Sequence, residues 1–164
     1  MRIVGMIFGV VTICIYAVYG AISVNDWAVT AASRLPLDTT IAEMNRAGQN
    51  YSTSGGIIFA VLGILLALAW GYFVSSQRLK IRPWAAVATW GAIIMLGAPA
   101  YFFASFANLN NVGDTFYDWN SEAAFAVGMP LYIVSGLALV LAGGALLLGL
   151  LRPRTRLGSL PDGH

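Results

Sequence analysis

The sequence predicts an all-α integral membrane protein, with four transmembrane helices in an up-down-up-down bundle and both termini inside (N-in/C-in). Three observations predict it. Four apolar runs, Ile3–Ser23, Gly55–Ser76, Trp84–Phe106 and Ala123–Leu151, carry no charged side chain. Each reaches the roughly 20 residues that cross a hydrocarbon layer about 30 Å thick, where every backbone polar group must be satisfied within a helix. The chain is 59% hydrophobic and 10% charged, against about 25% charged in an ordinary soluble domain. Charge is also sorted by loop. Seven of the nine basic residues stand at Arg2, at Arg78, Lys80 and Arg82, and at Arg152, Arg154 and Arg156, while six of the seven acidic ones occupy the two alternate loops. Lys and Arg beside span ends mark the cytoplasmic side.

These features give one membrane domain over residues 1–164, with spans at 3–23, 55–76, 84–106 and 123–151. Loops 24–54 and 107–122 lie outside, and a cytoplasmic tail occupies 152–164. The expected location is the bacterial inner (plasma) membrane, crossed several times. The first run is 21 residues long, more than the roughly 7–15 of a cleavable signal core, and Ala21-Ile22-Ser23 is a poor cleavage site. It is expected to stay as the first span.

Loop 24–54 contains its own signals. Thr40-Ile41-Ala42-Glu43 matches a capping box, in which a Thr hydroxyl and a Glu carboxylate satisfy the exposed N–H groups of a helix start. Gly48 supplies a helix stop. Ile41 and Met44 would form a stripe lying on the membrane or on a partner. The tight turn 77–83 ends in Pro83, which suits a first helical position because its missing N–H has no helical partner anyway. Asp114, Asp118 and Glu122 recur every four residues in loop 107–122; on one helical face they would offer oxygen ligands to a cation or a basic partner. The tail, with two prolines and two glycines, is expected to be disordered alone.

Within the spans, Pro99 and Pro130 each remove one backbone bond, freeing the carbonyls of Met95 and Ala126. Such a carbonyl lines a cavity or meets a hydroxyl. Gly5 and Gly9 form a GxxxG pair in the first span. Ala138, Ala142, Ala145 and Gly149 follow one face of the fourth, and small faces permit close helix approach in lipid. Continuous with the arginines of the tail, this face is the candidate for docking a partner: Ala138, Ala142, Ala145, Gly149, Arg152, Arg154 and Arg156. Aromatics crowd outward, fourteen against six, where an ordinary belt would mark both interfaces. Tyr101, Phe102, Phe106, Tyr117, Trp119, Phe125 and Tyr132 form the candidate outer aromatic surface or lipid site.

Several chemistries lack their groups. Cys14 is the lone cysteine and His164 the lone histidine, so no haem, zinc or iron–sulfur ligation is expected and no cofactor is assigned. The spans hold no ionisable relay of the kind that marks ion pathways. Three arginines beside a span are a topology signal rather than a nucleic-acid patch. The function expected is therefore non-catalytic: an accessory or assembly subunit of a larger membrane complex, such as a respiratory or other energy-converting assembly, with other integral membrane subunits and lipids as partners. The alternative is a stand-alone bundle that binds or moves an uncharged lipidic molecule (an isoprenoid, carotenoid or lipid) in its outer half.

Overall fold

A computed structural model describes residues 2–76, 79 and 81–151, with Arg2 by its backbone alone. Arg78, Lys80 and the tail with Arg152, Arg154 and Arg156 lie outside the described residues. The described residues form helices joined by short connections and contain no strand. The first helix runs as α1 (Arg2–Ile22), a π turn (Ser23–Trp27) and α2 (Ala28–Ser33) without leaving helical backbone. The rest are α3 (Leu37–Arg46), α4 (Ser54–Ser75), α5 (Pro83–Thr115) and α6 (Ser121–Leu151). Four of the helices are long and apolar enough to cross a membrane: Ile3–Ser33, Ser54–Ser75, Pro83–Thr115 and Ser121–Leu151.

Glycine contacts fix the register of the bundle. Gly9 faces Trp70, and Gly20 faces Phe59, so α1 and α4 run antiparallel. Gly91 faces Ala138 and Ala142, Gly128 faces Tyr101 and Gly149 faces Trp84, so α5 and α6 do the same. The two pairs join along α4 and α5, and α2 closes the ring on α6. Tyr16, Phe59, Ile94, Tyr101 and Leu131 are central to the bundle core. Large apolar side chains remain exposed along all four helices, among them Val4, Leu65, Phe103 and Val140.

The ends near α3 differ from the sequence expectation. Neither 24–54 nor 107–122 is a simple loop. Helix continues to Ser33 and to Thr115 because buried stripes continue there: Val24, Ala28, Val29 and Ala32 on the first helix, Ser105, Asn108 and Val112 on α5. The π turn holds an extra residue per turn, which rephases the stripe so that Ser23 and Val24 face the bundle while Val29 and Ala32 face a second core. That core gathers Val29, Ala32, Met44, Val112 and Ala124, with Leu37, Tyr51, Leu109 and Phe116 packed on it. It is the core of a cap over one end of the bundle.

Within the cap, α3 starts at Leu37 with Pro36 as its N-cap, four residues earlier than the capping box implies. Thr40 lies inside the helix, and its hydroxyl donates back to the Pro36 carbonyl at 3.0 Å and meets the Ser33 hydroxyl at 2.7 Å. Glu43 pairs instead with Arg46 at 2.5 Å. Burial of Thr40 explains the difference: a hydroxyl packed under the helix cannot serve its N-terminus. Met44 is fully buried in the cap core, so it meets this chain rather than a membrane or partner, while Ile41 is half-buried outside that core. Gly48 ends the helix as expected, with φ 77° and bonds from Gln49 N–H to Met44 and from Gly48 N–H to Asn45, the paired pattern of a Schellman stop. Pro83 opens α5 as expected, and α5 and α6 run on through Pro99 and Pro130.

Candidate functional site

A short set of hydroxyls and indoles ties the bundle together at the level of the prolines. Tyr19 donates to the Val127 carbonyl at 3.0 Å, one residue beyond the carbonyl that Pro130 frees. Ser135 donates to the Ile94 carbonyl at 2.8 Å and meets the Tyr16 hydroxyl at 2.9 Å, one residue before the carbonyl that Pro99 frees. Tyr101 meets Ser23, the first residue of the π turn, at 3.0 Å. Nearer the other end, Trp90 donates to the Gly9 carbonyl at 3.2 Å. The proline turns thus lie beside hydroxyl bridges rather than beside open polar space.

Between α1, α4 and α5 lies a groove of about 580 Å³, within the range of about 300–1,000 Å³ usual for small-molecule sites. Ile13, Tyr16, Phe59 and Ile94 form its floor, and exposed Ile58, Leu62, Leu96 and Phe103 form its lips. Because the lips are exposed side chains of α4 and α5, the groove opens sideways between those helices. Among the described residues no charged one lines it, and apart from the Tyr16 hydroxyl its polar side chains, Ser52, Ser54 and Asn108, stand together at the cap end. Asn108 is already committed: its carbonyl oxygen accepts from Ser52 N–H at 3.1 Å and its amide donates to the Ser52 carbonyl at 2.8 Å. Ser54 accepts from the Ser52 hydroxyl at 3.0 Å, which leaves its own proton for an acceptor in the groove.

Sequence reasoning missed this groove, although its signal is present. Gly97, Ala100, Ala104 and Ala107 form a run of small side chains on α5, opposite Gly55 on α4, while Gly63 of α4 lies against Ala17 of α1. Gly55 lies against the Ala104 carbonyl, and Gly97 against the Tyr16 ring. Where these small residues touch, helices close; where no large side chain fills the gap between contacts, space remains.

The expected aromatic site is largely brought together. Tyr101, Phe102, Phe106, Trp119, Phe125 and Tyr132 line a second cleft, about 250 Å³, between α5 and α6 at the cap end. Phe125 stacks on Tyr132 with centroids 5.5 Å apart, and Tyr101 meets Tyr132 edge-on at 5.9 Å. Tyr101 is buried, whereas Phe102, Phe106 and Phe125 are about half exposed at 48%, 52% and 54%. Tyr117 is fully exposed and stands outside this cleft.

The expected docking face lies elsewhere than on the surface. Ala138, Ala142 and Ala145 are buried, and a β-carbon added at Gly91 of α5 would lie 2.8 Å from the Ala138 carbonyl and 2.9 Å from the Ala142 β-carbon. Gly149 is covered by Trp84. The small face is therefore occupied within the chain, because α5 presents its own glycine to it. Gly136, Gly143 and Gly144 have open space instead, and so does Gly5 of the GxxxG pair.

Around the cap, amides secure the chain between α3 and α4. The π-turn Asn25 accepts from Gly56 N–H at 3.3 Å, Tyr51 donates to the Asn25 carbonyl, and Asn111 donates to the Asn50 carbonyl at 2.5 Å. Burial, and after it the negative charge of Asp26, hold the Tyr51 hydroxyl above the ordinary tyrosine pKa. Asn120 N–H bonds the Ala32 carbonyl at 2.7 Å, and its side chain accepts from Ala123 N–H at 2.9 Å to start α6. This break at residues 116–120 separates Asp114 from Asp118 and Glu122, so the three carboxylates do not share a helical face. Among the described residues no group of three or more His, Cys, Asp or Glu is placed to hold a metal.

The fold and its clefts define an apolar four-helix bundle with a folded cap and a sideways-opening groove. No protein-family model, curated protein or solved structure matches the chain.

Proposed function

We propose that this chain is a multi-pass membrane protein, with both termini cytoplasmic and the cap outside, that holds an uncharged lipidic molecule in the groove between α4 and α5. The observation that carries the reading is the groove itself: open sideways through exposed apolar lips, free of charged lining, and with a serine hydroxyl at the cap end. A chain entering from the hydrocarbon layer would bury its length against Ile58, Leu62 and Phe103 and place a neutral hydrogen-bond acceptor at Ser54. An isoprenoid, a carotenoid or a lipid acyl chain meets that description; a charged head would be desolvated without a counter-charge. The acidic cap and basic opposite end support the orientation.

The test uses the purified full chain in lipid nanodiscs with a neutral prenyl probe bearing a photoreactive diazirine. Labelling should concentrate on Leu62 and Phe103, above the level at lipid-facing Val140 of α6. Ala100→Trp should block the groove and abolish that excess. Uniform labelling of Phe103 and Val140 would overturn the reading. Orientation is checked in cells with Cys14 replaced: a cysteine at Thr115 should react with an impermeant reagent from outside, and one at Lys80 should not.

A second reading, an accessory or assembly subunit of a larger membrane complex, draws on the exposed phenylalanine ridge Phe102, Phe103 and Phe106 of α5. Phe102→Ser with Phe106→Ser should then release the chain from partners that co-purify from its source membrane.

A further inference from the structure

The aromatic cleft between α5 and α6 is a separate site with a different chemistry. Its lining is rich in aromatic rings, among them Phe102, Phe106, Trp119, Phe125 and Tyr132. An aromatic ring is negative over its face, so several rings around one space attract a cation within about 6 Å of their centroids. The groove against α4 contains rings too, but it is dominated by aliphatic side chains and small residues.

Charge around the cleft agrees. Glu122, on the first turn of α6, lines a shallow hollow that shares Ser121 and Phe125 with the cleft. It is exposed and makes no ion pair among the described residues, whereas Arg34 and Arg46, the described cationic side chains of the cap, both stand against carboxylates, Asp118 at 3.8 Å and Glu43 at 2.5 Å. Among the described residues no positive side chain lines the cleft or the hollow. Rings therefore surround a space that a cation could fill, one carboxylate stands in the adjoining hollow, and among the described residues no arginine lines either. The cleft also continues into exposed apolar surface at Phe102 and Phe106, which would receive an alkyl tail.

We infer that the cleft bounded by Trp119, Phe125 and Tyr132 binds the quaternary ammonium head of a cationic amphiphile, with Glu122 as its counter-charge. The rings remove the trimethylammonium group from water without asking it for hydrogen bonds, which it cannot donate. The carboxylate at the rim supplies long-range attraction, and the phenylalanines hold the first carbons of the chain. A volume of about 250 Å³ suits a head group and a few carbons rather than a whole lipid. This inference stands on a cleft apart from the groove and survives if the groove proves empty.

The test is calorimetric titration of the full chain in uncharged maltoside micelles with two probes. One is decyltrimethylammonium; the other is its uncharged carbon isostere, in which the nitrogen is replaced by carbon. The cation should bind saturably and at least about tenfold more tightly than the isostere, a difference within the cation–π range for desolvated sites. Glu122→Gln should weaken the cation about three- to tenfold and leave the isostere unchanged. Phe125→Leu, at an exposed position that does not threaten folding, should weaken the cation more than the isostere. Equal affinity for the two probes, absence of saturable binding, or indifference of the cation to Glu122→Gln would each overturn the assignment.

Discussion

In the bundle, helices approach one another where a small residue makes room for a neighbour, whether a large ring or another small residue. Gly63 comes so near Ala17 that a β-carbon on it would lie 2.5 Å from that of the alanine, and Gly91 is equally confined by α6. In the cap, side chains reach across connections instead. Asn108 matches both backbone groups of Ser52, and Asn25 serves the start of α4. The difference follows from what surrounds each region. In the proposed membrane setting, exchanging one apolar neighbour for another brings long apolar helices little hydrophobic gain, so close contact and a few hydroxyl bonds select the arrangement. At the polar end the chain must turn, turning exposes backbone groups, and each one left unpaired and buried costs about 1–3 kcal/mol. One region is specified by fit and the other by satisfaction.

The largest expected effect probes whether the two regions are one cooperative unit. Met44→Ala empties the centre of the cap core, where Met44 is fully buried, and a Met-to-Ala change in such a site costs about 2–5 kcal/mol. Amide exchange should accelerate over residues 37–53 while α4 and α6 keep their protection. Equal acceleration in the bundle would erase the division, making the cap a continuation of the same core.

The next effect sharpens the idea that smallness is used at particular points and not as a general composition. Gly91→Ala places a β-carbon against the Ala138 carbonyl, a backbone atom that cannot turn aside, and overpacking of this kind costs about 1–3 kcal/mol. Gly144→Ala meets nothing within 4 Å, and the gain in helix propensity is about 0.5–1 kcal/mol. Unfolding in a detergent titration should move in opposite directions for the two variants. Equal shifts would mean that α5 and α6 are not held by close approach at Gly91.

These residues also show what could be read from the sequence. The four long helices were legible because apolar length is a property of each segment alone. Their extensions were not, because Val29, Ala32 and Val112 are too few and too spread among polar residues to announce a stripe; they become one only when α3 is laid over them. Thr40 misled for the same reason, since a capping pattern is local and its burial is not. The aromatic cleft was partly legible, as six of its rings were expected together, but Tyr117 was grouped with them by sequence proximity although it points into open surroundings. The groove was missed because a gap is defined by what does not touch. The small face of α6 was visible in the sequence, while its partner, a single glycine on α5, was not a motif.

The smallest expected effect concerns pH and belongs to the cap alone. Tyr51 donates its proton to the Asn25 carbonyl, and burial followed by the Asp26 charge raises its pKa. An unfolded tyrosine loses its proton near about pH 10. Between that value and the raised one, the folded state binds more protons than the unfolded state, so stability falls as pH rises. Below the unfolded value the contribution is fully present. Thermal unfolding of the cap, followed by circular dichroism, should therefore be weakened on going from about pH 9 to about pH 11, and more in the wild type than in Tyr51→Phe. Phenylalanine loses the hydrogen bond at every pH but has no proton to release. The difference is small because Tyr51 is only partly buried, and solvent screens what remains. Identical pH responses in the two proteins would place the Tyr51 hydroxyl in water rather than against the π turn, and would remove one of the polar ties that set the cap apart from the bundle.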